Sequence, residues 1–178
     1  LFWIASLFVP REAISRRDIL WLCVAAVFGL VGNQCCFTVG LSLTSPINAG
    51  IATTSMPIFA LVLSALVLRE PVTWRKAVGV ALGCMGALLL VWSSARAAGA
   101  SVGTGNLRGD LLCLAAQFSY SIYLTVFGRL AKRYSVVTVN KWMFLSATCI
   151  IWPFTGAHVL STPWAEVPLK TYAETAYV

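Results

Sequence analysis

Charge is scarce in this chain. Charged residues fill 11% of its 178 positions, against about 25% in a soluble domain, so the sequence cannot build a water-facing surface. Acids are scarcest: six Asp and Glu stand against thirteen Lys and Arg. No acid lies deep inside an apolar run, and the single histidine, His158, sits at the outer boundary of one. That position suits a solvated bystander better than a proton relay. An intramembrane hydrolase needs a nucleophile with a base, or a metal site, and neither set of groups is present, so no enzyme is expected. The cysteines, Cys23, Cys35, Cys36, Cys84, Cys113 and Cys149, form no C-x-x-C and all lie in apolar runs. They read as small buried hydrophobes, not as zinc ligands or a redox pair. No Walker motif and no filter sequence or ring of charges is present, which excludes an ATP engine from this part and argues against a channel. No cofactor is expected. The formal charge of +7 is dispersed over connectors, so nucleic acid is not a partner.

What the chain has in quantity is long apolar runs, at residues 19–43, 46–68, 77–94, 111–128 and 142–158, none with a charge in its interior. A bilayer core about 30 Å thick takes about 20 residues of helix. The third and fourth runs fall short of that and are extended by amphipathic ends. The fold class is therefore all-α, a polytopic helical membrane protein embedded in a lipid bilayer. Basic residues gather on alternate connectors. Arg11, Arg16 and Arg17 lie on the first, Arg69, Arg75 and Lys76 on the third, and Arg129, Lys132 and Arg133 on the fifth, with Lys141 just beyond. Positive charge marks the cytoplasmic side. Residues 10–18, 69–76 and 129–141 should be cytoplasmic, and the turn at Thr44, the Gly/Ala/Ser-rich loop 94–106 and residues 161–175 should lie outside. Residues 1–9 are apolar but span only about 13 Å as helix, so they read as the tail of a cut helix, not a signal peptide. Residues 172–178 read as the start of another span.

Polar residues inside the runs are the candidate functional groups. Gly29, Gly32 and Cys36 give the first span a small face for close helix approach. Asn33 and Gln34, near its middle, must bond a neighbouring helix or line a polar cavity. Ser45 is a good N-cap and Pro46 a good first helical residue, so the second span returns antiparallel. It carries Asn48, Thr53, Thr54 and Ser55 before Pro57, which should kink the helix and free the Thr53 carbonyl. The kink is either a static bend or a hinge beside a cavity. Glu70, among three cations, reads as a surface ion pair. Gly79, Gly83, Gly86 and Ala87 form a small stripe that packs within the bundle or between the subunits of a homodimer. The loop at 95–106 reads as a flexible linker between two halves, 1–94 and 107–178. Beyond it, Asp110 marks a helix start, and Gln117, Tyr120, Ser121 and Leu124 share one helical face. A polar stripe at that depth faces protein or cavity, not lipid. Tyr120 and Tyr123 either stack an aromatic or cationic ligand or anchor the helix.

Several of these residues fall into a pattern. Gly32-Asn33-Gln34, Phe37, Gly40-Leu41, Thr44-Ser45 and Asn48-Ala49 are followed by Met56-Pro57-Ile58-Phe59 and Leu68-Arg69-Glu70-Pro71. Then come Gly79, Gly83 and Gly86-Ala87-Leu88-Leu89-Leu90. Together they resemble the EamA-type drug/metabolite transporter family. Gly105-Asn106-Leu107-Arg108-Gly109-Asp110, with Ala115-Ala116, Tyr120 and Tyr123, is similar to the opening helix of that family's second repeat. The resemblance implies ten transmembrane helices in two inverted five-helix repeats. The apolar runs would be helices three to seven, residues 1–94 the later part of the first repeat, and residues 107–178 the early part of the second. Both termini would be cytoplasmic, in agreement with the charge pattern.

Inverted repeats hold substrate near mid-membrane at their interface, and in the family helices three, four and six contribute. The implied substrate-binding residues are Asn33, Gln34, Thr53, Thr54, Pro57, Gln117, Tyr120 and Tyr123. The implied function is secondary transport of small metabolites or drugs, in the export direction, by rocking of the repeats, at the plasma or inner membrane. Cavity polarity favours a neutral or zwitterionic small-molecule substrate. The alternative is a non-transporting structural or assembly subunit, which would need the glycine faces but not the polar stripe.

Overall fold

The computed structural model describes residues 6, 8, 12–97, 106–161 and 168. Most of the expected linker and the apolar ends at 1–9 and 172–178 fall outside them. Among the described residues the chain is helical, without a strand. We label the helical rods α1 (Arg16–Leu43), α2 (Pro46–Val67), α3 (Trp74–Ala97), α4 (Leu107–Leu130) and α5 (Val136–Ser161). By length and composition α1, α2 and α4 can each cross a membrane. The 24 residues of α3 and 26 of α5 also exceed the about 20 that a bilayer core requires.

Each start follows local chemistry. The Ser15 hydroxyl accepts from the Arg17 amide at 3.3 Å and opens α1, with Asp18 in the first turn, where the helix dipole favours an acid. Ser45 caps α2 by accepting from the Asn48 amide at 3.1 Å, with Pro46 as the first helical residue. Asn106 caps α4 through the Arg108 amide at 3.0 Å. Only Thr44 and Ser45 separate α1 from α2, so α2 returns antiparallel to α1, and both helices pack chiefly against α4. At its other end α2 closes with Arg69 in the left-handed region, φ 54°. The amides of Leu68 and Glu70 both reach the Ser64 carbonyl, at 3.1 and 3.3 Å, and close the helix end. Glu70 then pairs with Lys76 at 3.5 Å, both about half exposed.

The kink expected from Pro57 is present and lies one turn ahead of the proline. α2 is interrupted at Thr54–Ser55, between Pro46–Thr53 and Met56–Val67. The amides of Thr54 and Ser55 bond the carbonyls of Ile51 and Ala52 in tight turns of 3.1 Å each. The hydroxyls of Thr53, Thr54 and Ser55 all fold back onto carbonyls three residues earlier, at 2.7, 2.7 and 2.6 Å, a bond that competes with the helix ladder. Neighbouring helices satisfy carbonyls around the break. The Cys84 thiol of α3 donates to Thr54 O at 3.2 Å, and the Ser121 hydroxyl of α4 lies 3.1 Å from Met56 O. Irregular backbone at membrane depth requires such partners.

The chain divides into two compact units, Leu1–Ala147 and Thr148–Val178. In the first, α1 and α4 pack along their lengths at glycines. A Cβ at Gly29 would stand 2.7 Å from the Tyr123 ring, one at Gly32 2.8 Å from Ser119 Oγ, and one at Gly40 2.8 Å from Cys113 Sγ. Gly109 returns the contact, 2.8 Å from the Gly40 carbonyl. One cluster of core residues joins Leu22, Ala25 and Ala26 of α1 to Phe127 of α4 and to Val139 and Met143 of α5. A smaller one joins Ala49, Ala52 and Cys113. Large apolar side chains such as Leu66, Leu82 and Leu89 remain exposed, as lipid-facing positions do. Of the second unit, the end of α5 is described. It contains Pro153, and Gly156 lies against the Trp152 ring, 3.2 Å from a Cβ built there.

Candidate functional site

Two features of the first unit bring polar groups together. One is a cleft of about 380 Å³ between α2, α3 and α4. Its walls are apolar (Ile51, Ile58, Leu88, Leu114), with Thr54 and Ser55 of the α2 break, Asn48, Cys84 and Asp110 supplying polarity. Small-molecule sites have this character, a largely apolar cleft of about 300–1,000 Å³ with a few placed polar groups. Asp110 has a defined setting. The Thr44 hydroxyl donates to its Oδ1 at 2.5 Å and the Asn48 amide to its Oδ2 at 3.4 Å. These bonds tie the first turn of α4 to the α1–α2 turn. Among the described residues no Lys or Arg forms a salt bridge with it.

The other feature is the seam between α1 and α4. Each helix contains a π-helical stretch, Val27–Gly32 in α1 and Tyr123–Phe127 in α4. Such turns leave the regular ladder incomplete and are frequent at functional sites. Across the seam, the Asn33 amide donates to Ala116 O at 3.0 Å and the Ser119 hydroxyl to Phe28 O at 2.8 Å. Tyr120 and Tyr123 pair with ring centroids 5.7 Å apart at 43°. Gln117 is 7% exposed, and among the described residues no hydrogen bond reaches its side-chain amide. No side-chain polar atom there is sealed from solvent without a partner. Gln117 is thus a nearly buried amide with bonding capacity in hand. Its neighbour one turn on, Ser121, lies within bonding distance of both Met56 O and Gln117 O, at 3.1 and 2.8 Å.

The sequence-derived candidates are therefore distributed. Asn33 and Tyr123 lie in the seam, Asn33 in an interhelical bond and Tyr123 against Gly29. Tyr120 pairs with the Tyr123 ring, and Gln117 is nearly buried on the face of α4 whose Ser121 reaches Met56 of α2. Thr54 is on the cleft wall. Pro57 borders a separate open groove of about 590 Å³ that also includes Arg75 and Lys76. Gln34 and Thr53 are exposed, and the Thr53 hydroxyl is bonded to its own helix. His158 has no described side chain. Asn48, Cys84 and Asp110 were not singled out for the site from sequence. Asp in a first turn is an ordinary helix-start signal, and only tertiary packing turns this one toward a cleft. No group of three metal-ligating side chains occurs among the described residues.

Comparison with known proteins locates this architecture. The EamA-like transporter family profile matches residues 1–92, more than half of the chain. An uncharacterized transporter of Archaeoglobus fulgidus is 23% identical over 150 residues, 84% of this chain and 51% of the relative. The uncharacterized transporter YetK of Bacillus subtilis is 24% identical over 143 residues, 80% of this chain and 42% of its own length. A third, YcxC of the same organism, is 30% identical over 104 residues, 58% of this chain and 32% of its own. The chain thus spans about half the length, or less, of these relatives. No solved structure matches it. The family match, with described residues that are helical and three helices long and apolar enough to cross a membrane, establishes that this protein belongs to the EamA-like transporter family.

Proposed function

We propose that this chain is part of a secondary transporter that exports small molecules across the plasma or inner membrane by alternating access, without a catalytic step. Residues 1–94 belong to the first inverted repeat and residues 107–178 to the second, so the α1–α4 seam lies where the repeats meet. Rocking of one repeat against the other exposes a central site to each side in turn. The observation that carries this proposal is Gln117, a nearly buried amide on α4, the helix that meets α1 at the seam, with no side-chain hydrogen bond among the described residues. Its side-chain polar atoms are not sealed from solvent, so the amide is open to a polar solute, which a static scaffold does not need. A transporter whose substrate alternately fills and leaves the site does. Tyr120 and Tyr123 beside it supply aromatic surface, and Thr54 lies at the break in α2. Gln34 and Thr53 stay in the proposed set because helices not contained in this chain would cover them in a ten-helix protein. A neutral or zwitterionic substrate suits an amide and two phenols.

A second copy of the chain is a further proposed partner. Gly79, Gly83 and Gly86 leave open space, with nothing within 4 Å of a Cβ built at any of them, and a neighbouring helix can approach there closely.

The test is to overexpress the full-length protein in bacteria and profile extracellular metabolites against a Gln117→Ala strain. A few compounds enriched outside only with the unmutated protein support export and define the substrate class. Equal profiles, with both proteins inserted and folded, contradict it.

A further inference from the structure

α1 and α4 run antiparallel, so the Arg16 end of one and the Leu130 end of the other share one face of the bundle. This is the face whose connectors, 10–18 and 129–141, concentrate positive charge and which the loop rule assigns to the cytoplasm. A groove of about 350 Å³ opens there. Its trough is Trp21, Val126, Phe127 and Leu130, and two guanidinium groups, Arg129 and Arg133, share its lining. Trp21 is 46% exposed and packs on Phe127 with ring centroids 5.9 Å apart. Arg133 pairs with Asp18 at 3.6 Å and lies 5.8 Å over the Tyr134 ring, contacts that hold it at this end and leave donors of its planar fork unused. Arg129 has no ion-pair partner among the described residues.

The chemistry of this groove is amphiphilic. Two arginines favour a phosphate, which their forked donors match. The apolar trough favours a hydrocarbon chain, and Trp is at home at headgroup depth. A free phosphate would use the arginines and leave the trough wet. A zwitterionic lipid brings its own cation toward two others. We propose that the groove binds an anionic phospholipid of the cytoplasmic leaflet, its phosphate between Arg129 and Arg133 and an acyl chain along Trp21, Val126 and Leu130. Basic pockets between transmembrane helices on this side of a membrane hold anionic headgroups.

The test uses the full-length protein in mild detergent, with thermal melts recorded on titration of phosphatidylglycerol, phosphatidylcholine or inorganic phosphate. Phosphatidylglycerol should raise the melting temperature saturably, and the other two should not. Arg129→Gln, which breaks no ion pair among the described residues, should weaken apparent phosphatidylglycerol affinity about fivefold. Val126→Trp, which fills the trough but keeps both arginines, should weaken it as well. If either variant does not fold, the other and the headgroup selectivity of the unmutated protein decide the matter. Equal stabilisation by both lipids, equal protection by inorganic phosphate alone, or unchanged affinity in the folded variants would overturn the proposal.

Discussion

At the scale of single residues, strain and hydrogen bonding give checkable consequences. Arg69 holds a left-handed φ of 54°, a conformation that costs a residue with a Cβ roughly 1 kcal/mol. Arg69→Gly should therefore raise the melting temperature of the full-length protein in detergent, and Arg69→Val should lower it. Tyr134 sits on the connector before α5 and donates to Asp18 at 2.5 Å. That bond, with smaller contributions from burial and the Asp18 charge, pushes the phenol above its ordinary value of 10.0, against a lowering by Arg133. A raised folded-state pKa stabilises the fold fully below the unfolded value and loses that contribution as pH rises through the folded one. The difference in stability between the unmutated protein and Tyr134→Phe should thus be constant from neutrality to about pH 10 and shrink above it, as read from melts across pH.

At the scale of elements, glycines separate what is packed from what is open. A Cβ at Gly109 meets backbone on the facing segment, Gly40 O at 2.8 Å and Leu43 C at 2.9 Å, neither of which yields like a side-chain tip. Gly109→Ala should cost about 1–3 kcal/mol, seen as a lower melting temperature or less folded protein. Gly83→Ala, with nothing within 4 Å, should raise the stability of the monomer by up to about 1 kcal/mol, since helical Gly is less favourable than Ala. Much of this architecture was readable beforehand. The Ser45–Pro46 start of α2, the small face of α1 and the bend ahead of Pro57 rest on local chemistry that one chain segment expresses alone. The places where carbonyls at the break find partners, Cys84 and Ser121, were not readable, because they come from helices about 30 and 65 residues away. The π-helical turns of α1 and α4 escaped for the same reason, since they follow from the fit of one helix against the other. Within the candidate site, periodicity located the Gln117 face, whereas the exposure of Gln34 and Thr53 depends on which helices surround them. Pro57→Ala restores a backbone donor next to a break that α3 and α4 already support. It should fold normally and slow transport, if the bend moves during the cycle; unchanged flux would make the bend static.

At the scale of the whole molecule, scarcity of charge, biased connectors and glycine-tight packing of α1 on α4 agree with a helical membrane protein of the EamA-like family. The fold carries two polar features with different logic. Beside the α1–α4 seam lies Gln117, whose side-chain amide makes no hydrogen bond among the described residues, and the cleft near the expected outer face has Asp110 anchored by Thr44 and Asn48. The seam lies where two inverted repeats would rock, and this is why Gln117, and not Asp110, carries the transport proposal. The decisive measurement is flux of the exported compound in proteoliposomes made with the full-length protein or with Gln117→Ala. Time-dependent, saturable flux that falls at least about tenfold in the variant, a loss of roughly 1.4 kcal/mol, is the predicted result. Flux equal in the two folded proteins, or none in either, would contradict it.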